Sequence, residues 1–134
     1  MKVTLDTNVL IAAFIAKGTC HDLFEDVARH HELVISDYIL AEFMEKMVAK
    51  LGFTQKEARE AKALIRERAR RVRPAELENP SDIDEDDLPI LGTAVSGQVD
   101  CLVTGDKELL ALGGVSGIRI IKPGDFWKLE DAAT

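Results

Sequence analysis

Short β-prone runs recur along the chain between segments with helical spacing, and this alternation decides the fold class. The runs are residues 2–5, Leu33-Val34-Ile35, Cys101-Leu102-Val103 and residues 118–121. They lack the regular polar alternation of a strand with one wet face, so both faces need cover. The cover is predicted as helices over 8–15, 20–30, 37–50, 54–73, 87–98 and 107–112, with a last short helix after Pro123. Thr54 and Glu57 form a capping box at the start of the 54–73 helix, and Pro74 stops it. Pro89 is tolerable because it falls in a first turn. Gly113-Gly114 breaks the chain before the fourth strand. The expectation is an α/β fold with a central parallel sheet and helices on both sides. In such folds ligands bind beyond the carboxyl ends of the strands.

The 134 residues fit a single domain, 1–134, with 46 % hydrophobic and 31 % charged residues. No apolar run approaches the ~18 residues that would span a bilayer, so no membrane partner is expected. The start reaches Asp6 too soon for a signal peptide, which makes a cytoplasmic location the default. Cys20 and Cys101 lack metal-ligand spacing and read as reduced structural thiols. A net charge of −7 argues mildly against a nucleic-acid partner unless the acids are gathered on a metal.

The acids sit where that exception would apply. Strand one ends on Asp6, and the run Cys101-Leu102-Val103-Thr104 turns through Gly105 onto Asp106. If those strands are parallel neighbours, the two carboxylates converge. Asp87 opens the helix that feeds the third strand, in register with Leu91 and Ala94. Carboxylates at ~4 Å repel by about 4 kcal/mol per pair at an effective dielectric of about 20. Protonation or a cation must relieve that. Hard oxygen donors without grouped His or Cys select Mg²⁺ or Mn²⁺ over Zn²⁺. Such an ion suits attack of water on a phosphodiester. Plainer readings stand beside this one. Asp6 and Asp106 could simply cap the helices that follow, and Asp87 could serve a helix dipole.

Four segments carry a resemblance. Leu5-Asp6-Thr7-Asn8-Val9-Leu10 resembles the opening signature of PIN domains. Ser36, Leu40, Glu42 and Phe43 are similar to the second motif of that family. Asp87, Ile90 and Thr93-Ala94 match the third, and Leu102-Val103-Thr104-Gly105-Asp106 with Leu109-Leu110 matches the fourth. The order spans residues 1 to about 125. The resemblance implies a three-layer α/β/α sandwich and cleavage of RNA with Mg²⁺ or Mn²⁺. It implies Asp6, Glu42, Asp87 and Asp106 as catalytic, metal-binding residues, with Thr7, Asn8 and Thr104 as polar support. It also implies kinship with small stand-alone VapC-like toxins of toxin–antitoxin pairs, hence an antitoxin partner and a homodimer. Periodicity alone would put Glu42 on a solvated face, paired with Lys46.

The predicted 54–73 helix carries Arg59, Lys62, Arg66, Arg70 and Arg73 as one basic stripe, a surface for RNA phosphates or for an acidic antitoxin segment. Its plain alternative is a solvated face paired with Glu57, Glu60 and Glu67. His21, His30 and His31 are scattered and read as surface residues. Two other functions compete. A haloacid-dehalogenase-like phosphatase also places an Asp after strand one, but needs a second Asp where this chain has Asn8. A non-catalytic PIN-like binding module would be expected to lack some of the four acids.

Overall fold

The computed structural model describes residues 1–133. Strands β1 (Lys2–Leu5), β2 (Glu32–Ile35), β3 (Ala69–Arg71), β4 (Cys101–Val103), β5 (Gly114–Val115) and β6 (Ile118–Ile121) form one sheet in the order β3-β2-β1-β4-β6-β5. All pairings are parallel except β5 with β6. Helices α1 (Thr7–Ile15), α2 (Thr19–His30), α3 (Asp37–Glu45), α4 (Gln55–Arg68), α5 (Leu88–Ser96), α6 (Lys107–Leu112) and α7 (Phe126–Ala133) complete a three-layer α/β/α arrangement. No helix among the described residues is long and apolar enough to cross a membrane.

The sheet order locates the chemistry. From β1 the chain moves outward to β2 and β3, then returns to place β4 on the other flank of β1. The direction of winding reverses between β1 and β4, and a crevice opens at their carboxyl ends. The two strands pair with Thr4 opposite Leu102 and Leu5 opposite Val103. Asp6 donates its backbone N–H to Val103 O at 2.9 Å, so the strand end is locked to its neighbour.

The strands are apolar because both faces are covered. Val3, Leu5, Leu33, Val34, Ile35, Cys101, Leu102 and Val103 are fully buried, and so is Phe126 at the start of α7. Cys101 is a buried free thiol, and burial pushes it up to about 12.

Three expectations need correction. The 54–73 helix stops at Arg68. Ala69 turns extended, and Ala69-Arg70-Arg71 pairs with Leu33-Val34-Ile35 as an edge strand. Helix propensity of these residues yields to the backbone hydrogen bonds that β2 offers. Thr54 and Glu57 do form the capping box at the other end of α4. The sheet also has six strands rather than four, because Gly113, at φ +69°, leads Gly114-Val115 into an antiparallel hairpin with β6. Finally, the last turn of the predicted 37–50 helix is π-helical over Lys46–Lys50.

Candidate functional site

Asp6 is 5 % exposed and caps α1. Its Oδ1 accepts from Thr7 N at 2.7 Å, and its Oδ2 accepts from the Thr104 hydroxyl at 2.6 Å. The carboxyl is nevertheless shifted upward. Burial outweighs these two donors, and the Glu42 charge adds to it, while Lys46 opposes. Asp106 caps α6. Its Oδ1 accepts from Glu108 N at 2.8 Å and Leu109 N at 3.1 Å, and its own N–H donates to Thr104 Oγ1 at 3.0 Å. Capping therefore does describe both residues. It uses one oxygen of Asp106 and leaves Oδ2 uncommitted, and each oxygen of Asp6, with one donor, keeps a further lone pair.

Glu42 corrects the periodicity argument. It lies on α3, yet its side chain is only 18 % exposed. It faces the start of α1, where the Thr7 hydroxyl donates to its Oε1. The expected pairing with Lys46 is loose, 4.0 Å to Oε2, and Lys46 Nζ also donates to Asn8 Oδ1 at 3.2 Å. Thr7, Asn8 and Thr104 thus all contact these acids or the cation beside them.

Asp87 sits at the end of a 3₁₀ turn (Glu85–Asp87) that precedes α5. It is half-buried, and no hydrogen bond reaches its carboxylate among the described residues. Its pKa is pushed up to about 7, first by burial, then by the charges of Asp106, Asp6, Asp84 and Glu42. Three segments distant in sequence, and Asp84 three residues before it, thus bring like charges to bear on one undonated carboxyl. The carboxylates are coupled without touching. Among the described residues, the one group of three metal-type ligand atoms within 4.8 Å of one another is Asp26, His31 and Glu130, elsewhere in the molecule.

Ser36 and Thr93 stand in the second and third motifs without a role assigned from sequence, and Tyr38 was not singled out at all. Ser36 caps α3, accepting from Ile39 N at 3.4 Å, and its Oγ lies 2.7 Å from the Thr93 hydroxyl of α5. Thr93 also reaches Pro89 O at 2.7 Å. This buried pair ties the helix carrying Glu42 to the helix that follows Asp87. Tyr38 donates its hydroxyl to Asp86 O at 2.8 Å and pins the turn that presents Asp87. Its phenol is pushed up to about 12 by burial, then by Glu42, Asp86, Asp87 and Asp84, so it stays neutral. Tyr38 precedes Glu42 by one helical turn, and that spacing was the available signal.

The basic stripe does not survive as one surface. Arg59, Lys62 and Arg66 remain on α4. Arg70 lies on β3, where Nε donates to Glu32 Oε1 at 2.5 Å and Nη2 to Gly97 O at 3.2 Å. Arg73 is exposed in the segment beyond β3. His31 is no surface residue either. Its side chain is 10 % exposed and lies 2.6 Å from Glu130 on α7 and 3.8 Å from Asp26 on α2.

A family profile described as PIN domain matches residues 2–108. The chain belongs to the PIN-domain family. Two solved structures share its fold. One is VapBC2 from Rickettsia felis bound to a DNA fragment from their promoter, at 17 % identity and TM-score 0.63, covering 90 % of this chain and 97 % of that one. The other is VapBC-1 from nontypeable Haemophilus influenzae, at 18 % identity and TM-score 0.65, covering 92 % and 99 %. No curated protein matches the chain. Membership in the PIN family accounts for the order of the four motifs and removes the phosphatase alternative.

Proposed function

We propose that this PIN protein is an Mg²⁺- or Mn²⁺-dependent endoribonuclease and the toxin of a toxin–antitoxin pair, acting in the cytoplasm. Asp6, Glu42, Asp87 and Asp106 are the residues that would hold the ion. The observation that carries the reading is the mutual repulsion of these acids at the β1/β4 crevice, felt most by Asp87, with Lys46 beside Glu42 and Asp6 as the one basic side chain among the described residues that offsets it. Buried like charges of this kind call for a cation. The donors are all oxygens, which fits a hard divalent ion. When bound, that ion supplies an activated water and a counter-charge for the phosphate oxygens. The chain's own groups do the rest. Thr104 and the Thr7 N–H fix the two oxygens of Asp6, and the Thr7 hydroxyl orients Glu42. Lys46 and Asn8 stand beside the acids, where they can meet an incoming phosphate.

The antitoxin reading has its own support. At the end of α1 remote from Asp6, a largely apolar hollow of about 510 Å³ is lined by Phe14, Phe24, Ile15 and Leu64, together with Lys17, Arg68, His21 and Glu25. Ile15 and Leu64 are 47 % and 49 % exposed. Such a surface fits an apolar segment of a partner. A homodimer belongs to the same proposal, and light scattering checks it.

The deciding experiment is RNA cleavage by metal-stripped protein, with Mg²⁺ or Mn²⁺ restored and with Asp6→Asn and Asp87→Asn in parallel. Cleavage that returns with metal and is lost in both variants supports the reading. Absence of both cleavage and metal binding would replace it with a non-catalytic binding module. Growth arrest on expression, relieved by a small neighbouring reading frame, tests the toxin assignment.

A further inference from the structure

Tyr38 is the only tyrosine in the chain. It opens a series, Tyr38, Glu42, Lys46 and Lys50, that recurs every fourth residue and so falls along one face of α3 and its π-helical extension. From Tyr38 to Lys50 this face runs about 18 Å at about 1.5 Å per residue. Three hollows meet at Tyr38. One of about 300 Å³ follows α3 past Glu42, Lys46 and Lys50 to Asp86. A second, of about 400 Å³, lies between Tyr38, Arg71 and Arg73. A third, of about 560 Å³, continues beside Arg73, Leu88 and Pro89. None is lined by Arg59, Lys62 or Arg66 of α4.

The charges along this path are ordered. Lys50 and Arg73 are exposed, and neither is in an ion pair among the described residues. Arg71 is held by Asp37 at 3.1 Å, and Lys46 by Asn8 and Glu42. Lys50 therefore stands unpaired in the first hollow and Arg73 unpaired where the second and third meet, on either side of the aromatic ring, while Glu42, Glu45, Asp86, Asp37, Glu76 and Glu85 also line the path. The Tyr38 hydroxyl is tied to Asp86 O, which fixes the ring while leaving it partly exposed to the hollows. A partly exposed ring with an unpaired cation to either side suits a single strand. Its bases can splay onto the ring while its phosphates reach the cations, whereas a paired base hides its face.

We propose that Tyr38 is a stacking platform for a base of single-stranded RNA beside the bond that is cut, with Lys50 and Arg73 taking phosphates to either side. This rests on the nuclease reading and adds the path of its substrate. The test is anisotropy of a labelled, mixed-sequence single-stranded RNA titrated with the Asp6→Asn protein in Mg²⁺. Tyr38→Phe, Tyr38→Ala and Lys50→Ala/Arg73→Ala are added in turn, with circular dichroism confirming folding. Tyr38→Phe keeps the ring but loses the bond to Asp86 O, and should lose clearly less affinity than Tyr38→Ala. Tyr38→Ala and the double variant should each weaken binding about ten-fold or more, and the RNA duplex should bind more weakly and ignore Tyr38. Equal losses in Tyr38→Phe and Tyr38→Ala would overturn the proposal, assigning the effect to the hydroxyl's hold on Asp86. RNA binding by the parent that is unmoved in Tyr38→Ala would overturn it too, and would leave the nuclease reading standing. A parent that binds polyglutamate but no RNA, with wild type that cleaves none, would remove both.

Discussion

Thr104 donates its hydroxyl to Asp6 Oδ2 at 2.6 Å across 98 residues of sequence. Thr104 Oγ1 also accepts the N–H of Asp106, so one fully buried threonine joins the two acids at the ends of β1 and β4. Thr104→Val keeps the shape and deletes the link. Loss of a hydrogen bond to a charged group costs about 1.5–3 kcal/mol, and loss of a group that orients a metal ligand costs about 10–100-fold in affinity. The expected outcome is a lower melting temperature and Mn²⁺ binding weakened by about that factor, measured by calorimetry. Unchanged affinity would remove Thr104 from the supporting set.

Asp87 sets the sign of the pH dependence. Its folded pKa, about 7, lies above the ordinary value of 3.8. Between these values the folded chain holds more protons than the unfolded one, so stability falls as pH rises from about 4 to about 7. Asp6, shifted the same way, adds to that fall. In EDTA, wild type should lose melting temperature across this window, and Asp87→Asn should lose less. Mn²⁺ should raise the wild-type melting temperature more at pH 8 than at pH 5.5, because protons compete with the ion below about pH 7.

These residues were legible because they sit where a strand hands over to a helix. Asp6 and Asp106 follow runs that could only be buried strands, and a right-handed α/β winding brings such ends together. Glu42 came from a motif, since its place on the helix pointed outward. The groove that shelters it exists because α1 begins opposite α3, which no local pattern encodes. The end of α4 was illegible for a related reason. Ala69-Arg70-Arg71-Val72 continues a helical spacing without a flaw, and only the waiting edge of β2 makes it a strand. His31 was misread because its partners Glu130 and Phe126 come from the far end of the chain, Glu130 99 residues away.

Arg70 illustrates the consequence. Read as part of a helical stripe it is a phosphate contact. On β3 its guanidinium is committed to Glu32 and to Gly97 O, joining β3, β2 and the end of α5. Arg70→Ala should therefore cost about 1 kcal/mol of stability, the upper range of an exposed pair. Chemical denaturation measures this. RNA affinity of the same variant should stay within about two-fold. A marked loss of RNA binding at unchanged stability would return Arg70 to the substrate surface.

Gly92 tests the seat of the segment that delivers Asp87. It lies within α5, where alanine is ordinarily the better helix former by about 1 kcal/mol. Here a Cβ would stand 2.3 Å from Ala75 O, 3.2 Å from Ala75 N and 3.3 Å from Ala75 C. Those atoms are backbone, and Ala75 N–H also donates to Gly92 O at 3.0 Å, so the two chains are held in contact and cannot part cheaply. Overpacking of this kind costs about 1–3 kcal/mol, which exceeds the gain in propensity. Gly92→Ala should thus be destabilised, while Ser96→Ala, exposed on the same helix, should match wild type or exceed it slightly. Because residues 76–84 run from this contact to the Glu85–Asp87 turn, a displaced Ala75 should also weaken Mn²⁺ binding in Gly92→Ala. A variant more stable than wild type would mean that helix propensity outweighs the contact, and that the segment reaching Asp87 is seated elsewhere.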